Sequence, residues 1–184
     1  MSETTERKAI DKVFVLLGTA MVAVLLVVGG LAWYGYNFAT NSVKDELSQQ
    51  KIYFPSKDSS AIAALPEADQ KEVNKYAGQQ LVNGEQAKVY ANNFINVHLQ
   101  KIADGKTYAE VSNEAQKDPA NTKLQSQKTT LFQGETLRGL LLGSGYAYWT
   151  FGIIAKYVAI AAFIGAGVMA ILVWLGLIHL AKLS

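Results

Sequence analysis

The chain has 184 residues, 50% of them hydrophobic, a formal net charge of +2 and a mean hydropathy of +0.11. It contains no cysteine, which excludes disulfides, thiolate catalysis, Cys-ligated zinc and iron–sulfur clusters. Residues 37–138 carry twelve Lys/Arg and twelve Asp/Glu, so the middle is neutral and no nucleic-acid partner is implied.

Arg7, Lys8 and Lys12 precede a run, 13–33, of 21 residues without a charge. A bilayer core about 30 Å thick needs about 20 apolar helical residues. The run is longer than a secretory h-region, and Gly29 to Tyr34 is a poor cleavage site, so an uncleaved anchor over 13–34 is expected. The basic residues ahead of it place residues 1–12 in the cytoplasm. A second uncharged run, 157–178, predicts a span over 157–179, with 180–184 and Lys182 back in the cytoplasm. Residues 35–138 then form an extracytoplasmic domain. Trp33, Tyr34 and Tyr36 close the first span, and Tyr146, Tyr148, Trp149 and Tyr157 open the second. Both clusters read as a membrane-interface belt.

Within the middle, 43–50 extends the first span and 52–55 is extended, since Pro55 restricts Phe54. Pro66 opens a helix running to Tyr76 and Ala77, stopped by Gly78. The clearest helix is 85–102, capped by Asn83 or Gly84 and ended by Gly105. Its apolar stripe is Ala87, Tyr90, Ala91, Phe94, His98 and Ile102. Thr107 and Glu110 match a capping box. Asp118 and Pro119 signal another helix, through Leu131 and Phe132, broken near Gly134. Strand-like alternation is nearly absent. The expected fold class is an all-α membrane protein: two transmembrane helices flanking a small helical extracytoplasmic domain.

From Gly139 to Ile178 the single charge is Lys156. That exceeds one crossing, so 139–156 is read as interfacial or packed on a partner, with Lys156 snorkelling to headgroups. In the second span Ala162, Ala166 and Ala170 repeat every four residues, and Ala161 and Gly165 add small neighbours. Small residues let helices approach closely in lipid. The packing partner is the first span, a second copy or another protein.

Catalytic motifs fail on inspection. Gly105, Lys106 and Thr107 end like a phosphate loop, but Gln100 stands where the motif needs glycine. The two histidines, His98 and His179, are far apart in sequence. Proton work becomes conceivable only if Asp11 and His179 meet at the inner face. Glu110 and Glu114 read as a solvated face. No catalytic, cofactor-binding or metal residue, and no cofactor, is expected.

Residues 76–115, YAGQQLVNGEQAKVYANNFINVHLQKIADGKTYAEVSNEA, and 130–152, TLFQGETLRGLLLGSGYAYWTFG, resemble a group of actinobacterial membrane proteins of unknown function. With both spans the likeness covers most of the chain. Members of that group often bear the name aromatic ring-opening dioxygenase. That name implies a metal, and no ligand set is present here, so it is treated as misapplied. By size and topology the chain is also similar to the accessory subunits of the actinobacterial cytochrome bcc–aa3 supercomplex. The resulting expectation is a non-enzymatic subunit whose partners are membrane lipid and other integral membrane proteins. The alternative is a membrane-anchored binding or sensing module for a lipid, quinone or envelope ligand, using Tyr76, Tyr90, Phe94 and the apolar 139–155 segment.

Overall fold

A computed structural model describes residues 3–182. The fold is all-helical, with two long apolar helices of membrane-spanning length. Among the described residues the sole β pairing is an isolated antiparallel bridge between Tyr53 and Gln80. The chain divides into two compact units. One contains residues up to Phe38 together with those from Phe151 onward; the other is Ala39–Thr150.

Helix α1, Glu3–Gln50, is 48 residues without a break, about 72 Å at 1.5 Å per residue. No proline, and no glycine after Gly35, interrupts it. The second long element is a helix from Thr122 to Lys182, 61 residues. It comprises α7 (Thr122–Leu140), a π-helical segment Leu141–Ala147 and α8 (Tyr148–Lys182). The spans therefore do not stop at their apolar ends. Each is one stretch of a rod more than twice the length one crossing requires.

Five short helices complete the Ala39–Thr150 unit. These are α2 (Ser60–Ala63), α3 (Glu67–Asn74), α4 (Gly84–Val89), α5 (Asn96–Ile102) and α6 (Tyr108–Lys117). Local chemistry sets their ends. The Asn83 side chain accepts from the Gln86 N–H at 2.9 Å and starts α4. Thr107 and Glu110 form the expected capping box at α6. Gly78 and Gly105 take positive φ of 73° and 79° where the chain turns out of a helix, a conformation that glycine adopts without Cβ strain.

Several expectations need correction. α3 ends at Asn74, and a turn carries the chain to Gly78. The stretch expected as one helix over 85–102 contains a π segment, Tyr90–Ile95, between α4 and α5. Asp118 and Pro119 do not open α7. Asp118 instead closes α6, and Asn121 caps α7 through a bond from the Leu124 N–H at 3.1 Å. Gly134 neither breaks nor kinks the helix. A Cβ there would lie 2.4 Å from Leu99 Cδ2, so the glycine serves the packing of α7 on α5.

The core of this unit is large and aliphatic: Val43, Leu47, Phe54, Ile62, Val73, Leu81 and Leu141 are all buried. A smaller cluster joins Leu99, Ala103, Val111 and Leu131 under α6. Two backbone bonds, Phe54 N–H to Gln79 O and Leu81 N–H to Ile52 O (both 2.9 Å), seat the extended 52–55 segment beside 79–81. Buried Gln86 is satisfied: its Oε1 accepts from Val82 N–H at 2.7 Å and its amide donates to Gln79 at 3.3 Å.

Candidate functional site

The first unit is an antiparallel helix pair, and its packing follows a rule the sequence reading missed. Less exposed positions of α1 fall at residues 8, 11, 15, 18, 22, 25, 29, 32 and 36. On α8 a matching series falls at 152, 155, 159, 162, 166, 169, 173, 176 and 180, flanked by further partly covered positions at 153, 156, 165 and 178. Both series alternate steps of three and four, the seam spacing of a left-handed coiled coil. Glycines occupy the closest approaches. A Cβ on Gly18 would sit 2.7 Å from Val173, one on Gly29 2.7 Å from Phe163, and one on Gly176 3.0 Å from Val15. Each advance along α1 is matched by an equal retreat along α8.

The small residues singled out in α8 divide accordingly. Ala162 and Ala166 are buried, and a Cβ on Gly165 would meet Leu25 at 3.6 Å. They face the first span, one of the partners left open by the sequence. Ala161 and Ala170 point away and are exposed. Four residues turn a helix by 400°, so a strict four-residue series drifts off a seam that needs alternating threes and fours.

Each end of the pair carries a polar contact. Lys156 Nζ lies 5.3 Å from the Tyr36 ring centroid, a cation–π arrangement, and Tyr36 meets Trp33 edge-on at 5.5 Å. Tyr34 and Tyr157 are exposed, and Tyr34 stacks on Phe38. At the opposite end His179 Nε2 is 3.7 Å from Asp11 Oδ2.

The remaining belt residues belong to the helical unit. Tyr146 accepts a hydrogen bond from Lys88 Nζ at 3.2 Å, and that ammonium also lies 4.6 Å from its ring centre. The Tyr146 hydroxyl holds the Lys88 ammonium above the usual lysine range. Trp149 is half-buried and packs so tightly on α4 that a Cβ on Gly84 would come within 2.3 Å of it. Leu141 and Gly145 are buried in the same packing. Leu141, Gly145 and Trp149 thus spend part of the apolar character of 139–150 inside the unit itself, while Leu140 and Tyr148 stay exposed.

The aromatic residues weighed for a ligand groove stack on one another. Phe54 contacts Tyr76 at 5.4 Å and Tyr90 at 5.1 Å, Tyr90 contacts Phe94 at 5.1 Å, and Phe94 contacts His98 at 4.5 Å between ring centres. Burial pushes the Tyr90 phenol up. His98 Nδ1 lies 2.8 Å from the Phe94 carbonyl, its own helix's backbone. A groove does exist elsewhere in this unit. About 590 Å³ lies between the α1 stretch from Ser42 to Gln50 and the segment from Leu140 to Tyr148. Val43, Leu47, Leu141 and Gly145 form its floor, and Ser42, Glu46 and Ser144 contribute polar atoms.

Glu110 and Glu114, adjacent on α6, are each engaged. Glu110 completes the cap, and Glu114 pairs with Lys106 at 2.8 Å. No group of three or more His, Asp or Glu side chains able to hold a metal occurs among the described residues. Comparison of the chain with protein-family models, with curated proteins and with solved structures found no match.

Proposed function

We propose that the protein is a non-enzymatic accessory subunit of a larger bacterial membrane complex, with the actinobacterial bcc–aa3 respiratory supercomplex as the candidate. In this reading both termini are cytoplasmic and the helical unit lies over the outer face of the complex. One observation carries it. The helix pair places Gly18, Gly29, Ala162, Ala166 and Gly176 at its internal seam and turns large apolar side chains, such as Leu17, Leu31, Ile164 and Trp174, outward. Such a surface suits lipid and neighbouring spans. Size and two-span topology supply the choice of complex, and the resemblance of residues 76–115 and 130–152 to actinobacterial membrane proteins is in keeping with it.

Affinity purification of the tagged full chain from native membranes in mild detergent tests the reading. Stoichiometric companions with haem absorbance are expected; a lone monomer would overturn it. A cysteine placed at Lys57 in this cysteine-free chain should react with an impermeant maleimide in intact cells. Labelling only after lysis would invert the topology.

The groove favours a second reading, a binding module for a lipid, quinone or envelope ligand. Native mass spectrometry of the gently extracted protein would show a retained amphiphile, lost on filling the groove with Gly145→Leu.

A further inference from the structure

The meeting of Asp11 and His179 is a long-range event. The two residues lie near opposite ends of the sequence and are joined by the antiparallel register of α1 and α8. Asp11 holds a seam position, its side chain 29% exposed, and its Oδ2 is buried without a hydrogen-bond partner among the described residues. His179 Nε2 stands 3.7 Å from that oxygen. Beneath the pair runs a cleft of about 260 Å³, lined by Phe14, Val15, Gly18, Met169, Val173 and Gly176. The cleft is otherwise apolar. A carboxylate oxygen facing it is left without compensation unless a positive charge stands opposite.

We infer that Asp11 and His179 form a proton-operated latch that holds one end of the helix pair shut when the imidazole is charged and frees it when the imidazole is neutral. An imidazolium at this distance is an ion-pair partner for the carboxylate; a neutral ring is not. An imidazole takes up a proton on acidification and gives it up as pH rises, so the latch closes toward acid pH and opens toward alkaline pH. The other charged side chains at this end are Glu6, Arg7, Lys8 and Lys12 on α1 and Lys182 on α8. The outermost turns are the part of a helix pair that frays first. A single charge therefore has most leverage there.

Absence of native cysteine allows a direct test in the full chain. Ile10→Cys and Leu177→Cys place spin labels at exposed positions on the two helices beside the pair. The protein is reconstituted in phosphatidylcholine vesicles, and the inter-label distance distribution is measured by electron–electron double resonance at pH 5.5 and 8.5. A narrow distribution at pH 5.5 that broadens at pH 8.5 is expected. His179→Gln and Asp11→Asn should be broad at both values. His179→Lys, which keeps a cation there, should be narrow at both. An unchanged distribution in the wild-type sequence, or a pH response that persists in both His179→Gln and Asp11→Asn, would overturn the latch. Where one of these variants fails to insert, as judged by helical circular dichroism, the other and His179→Lys still decide.

Discussion

The two units differ in what they bury. In the Ala39–Thr150 unit large side chains such as Phe54, Ile62, Leu65, Leu81, Leu131 and Leu141 are buried together with small ones such as Ala87 and Ala91. In the helix pair the buried positions are small: Gly29, Gly152, Ala159, Ala162 and Ala166, with the large side chains outside. Water drives the first arrangement, because burying a large apolar side chain removes the most surface from it. For the helix pair, in the membrane setting proposed above, lipid removes that drive. There the helices gain from backbone proximity and close dispersion contact, which small residues permit. One chain thus follows two packing rules.

Truncation should separate the two rules most sharply. Leu81 is fully buried, and Leu81→Ala is expected to cost the helical unit about 3 kcal/mol. Leu17→Ala, on the outward face of α1, should change stability by less than about 0.5 kcal/mol. Thermal unfolding followed by circular dichroism in detergent compares them. Equal losses would mean that the outer face of the pair is itself packed. Addition of a single methyl comes next. Gly84→Ala drives a Cβ into Trp149 on the helix axis side and should cost about 2 kcal/mol. Gly29→Ala meets only the Phe163 ring, which can swing, so about 1 kcal/mol is expected in an SDS titration of the pair.

The smallest effect concerns the α6 cap. The Thr107 backbone N–H and then its hydroxyl donate to Glu110, holding that carboxyl below the usual range. A depressed carboxyl contributes stability that is complete above the ordinary carboxylate range and is lost as pH falls through the folded value. Glu110→Gln should therefore flatten part of the acid limb of the stability profile and leave neutral pH with a slight loss. An unaltered acid limb would remove the cap from the account.

Legibility in the sequence followed the range of the interaction. Caps were readable because donor and acceptor lie within three residues, as with Thr107 and Glu110. Both spans were readable because length and absence of charge suffice. What failed depends on partners distant in sequence. Gly134 looked like a break because nothing nearby announces Leu99. The packing of Gly145 and Trp149 on α4 had no local signal because α4 lies more than fifty residues earlier. The π segments have no local signature at all. The seam, by contrast, was legible in principle: alternating threes and fours of Gly, Ala and Val mark it, whereas a strict count of fours followed Ala162, Ala166 and Ala170 off the contact face.

The paired register also acts as an addressing scheme. Val15 answers Gly176, Gly18 answers Val173 and Gly29 answers Phe163, so three glycines of the seam each face a bulky counterpart in the other helix. Inserting one residue after Val22 would leave the pairs on one side of it intact and slide all those on the other, setting bulk against bulk. A second insertion at the matching place in α8 would restore the match. In the spans, residue count is therefore a coupled property of two distant segments, much as the teeth of two racks must share one pitch.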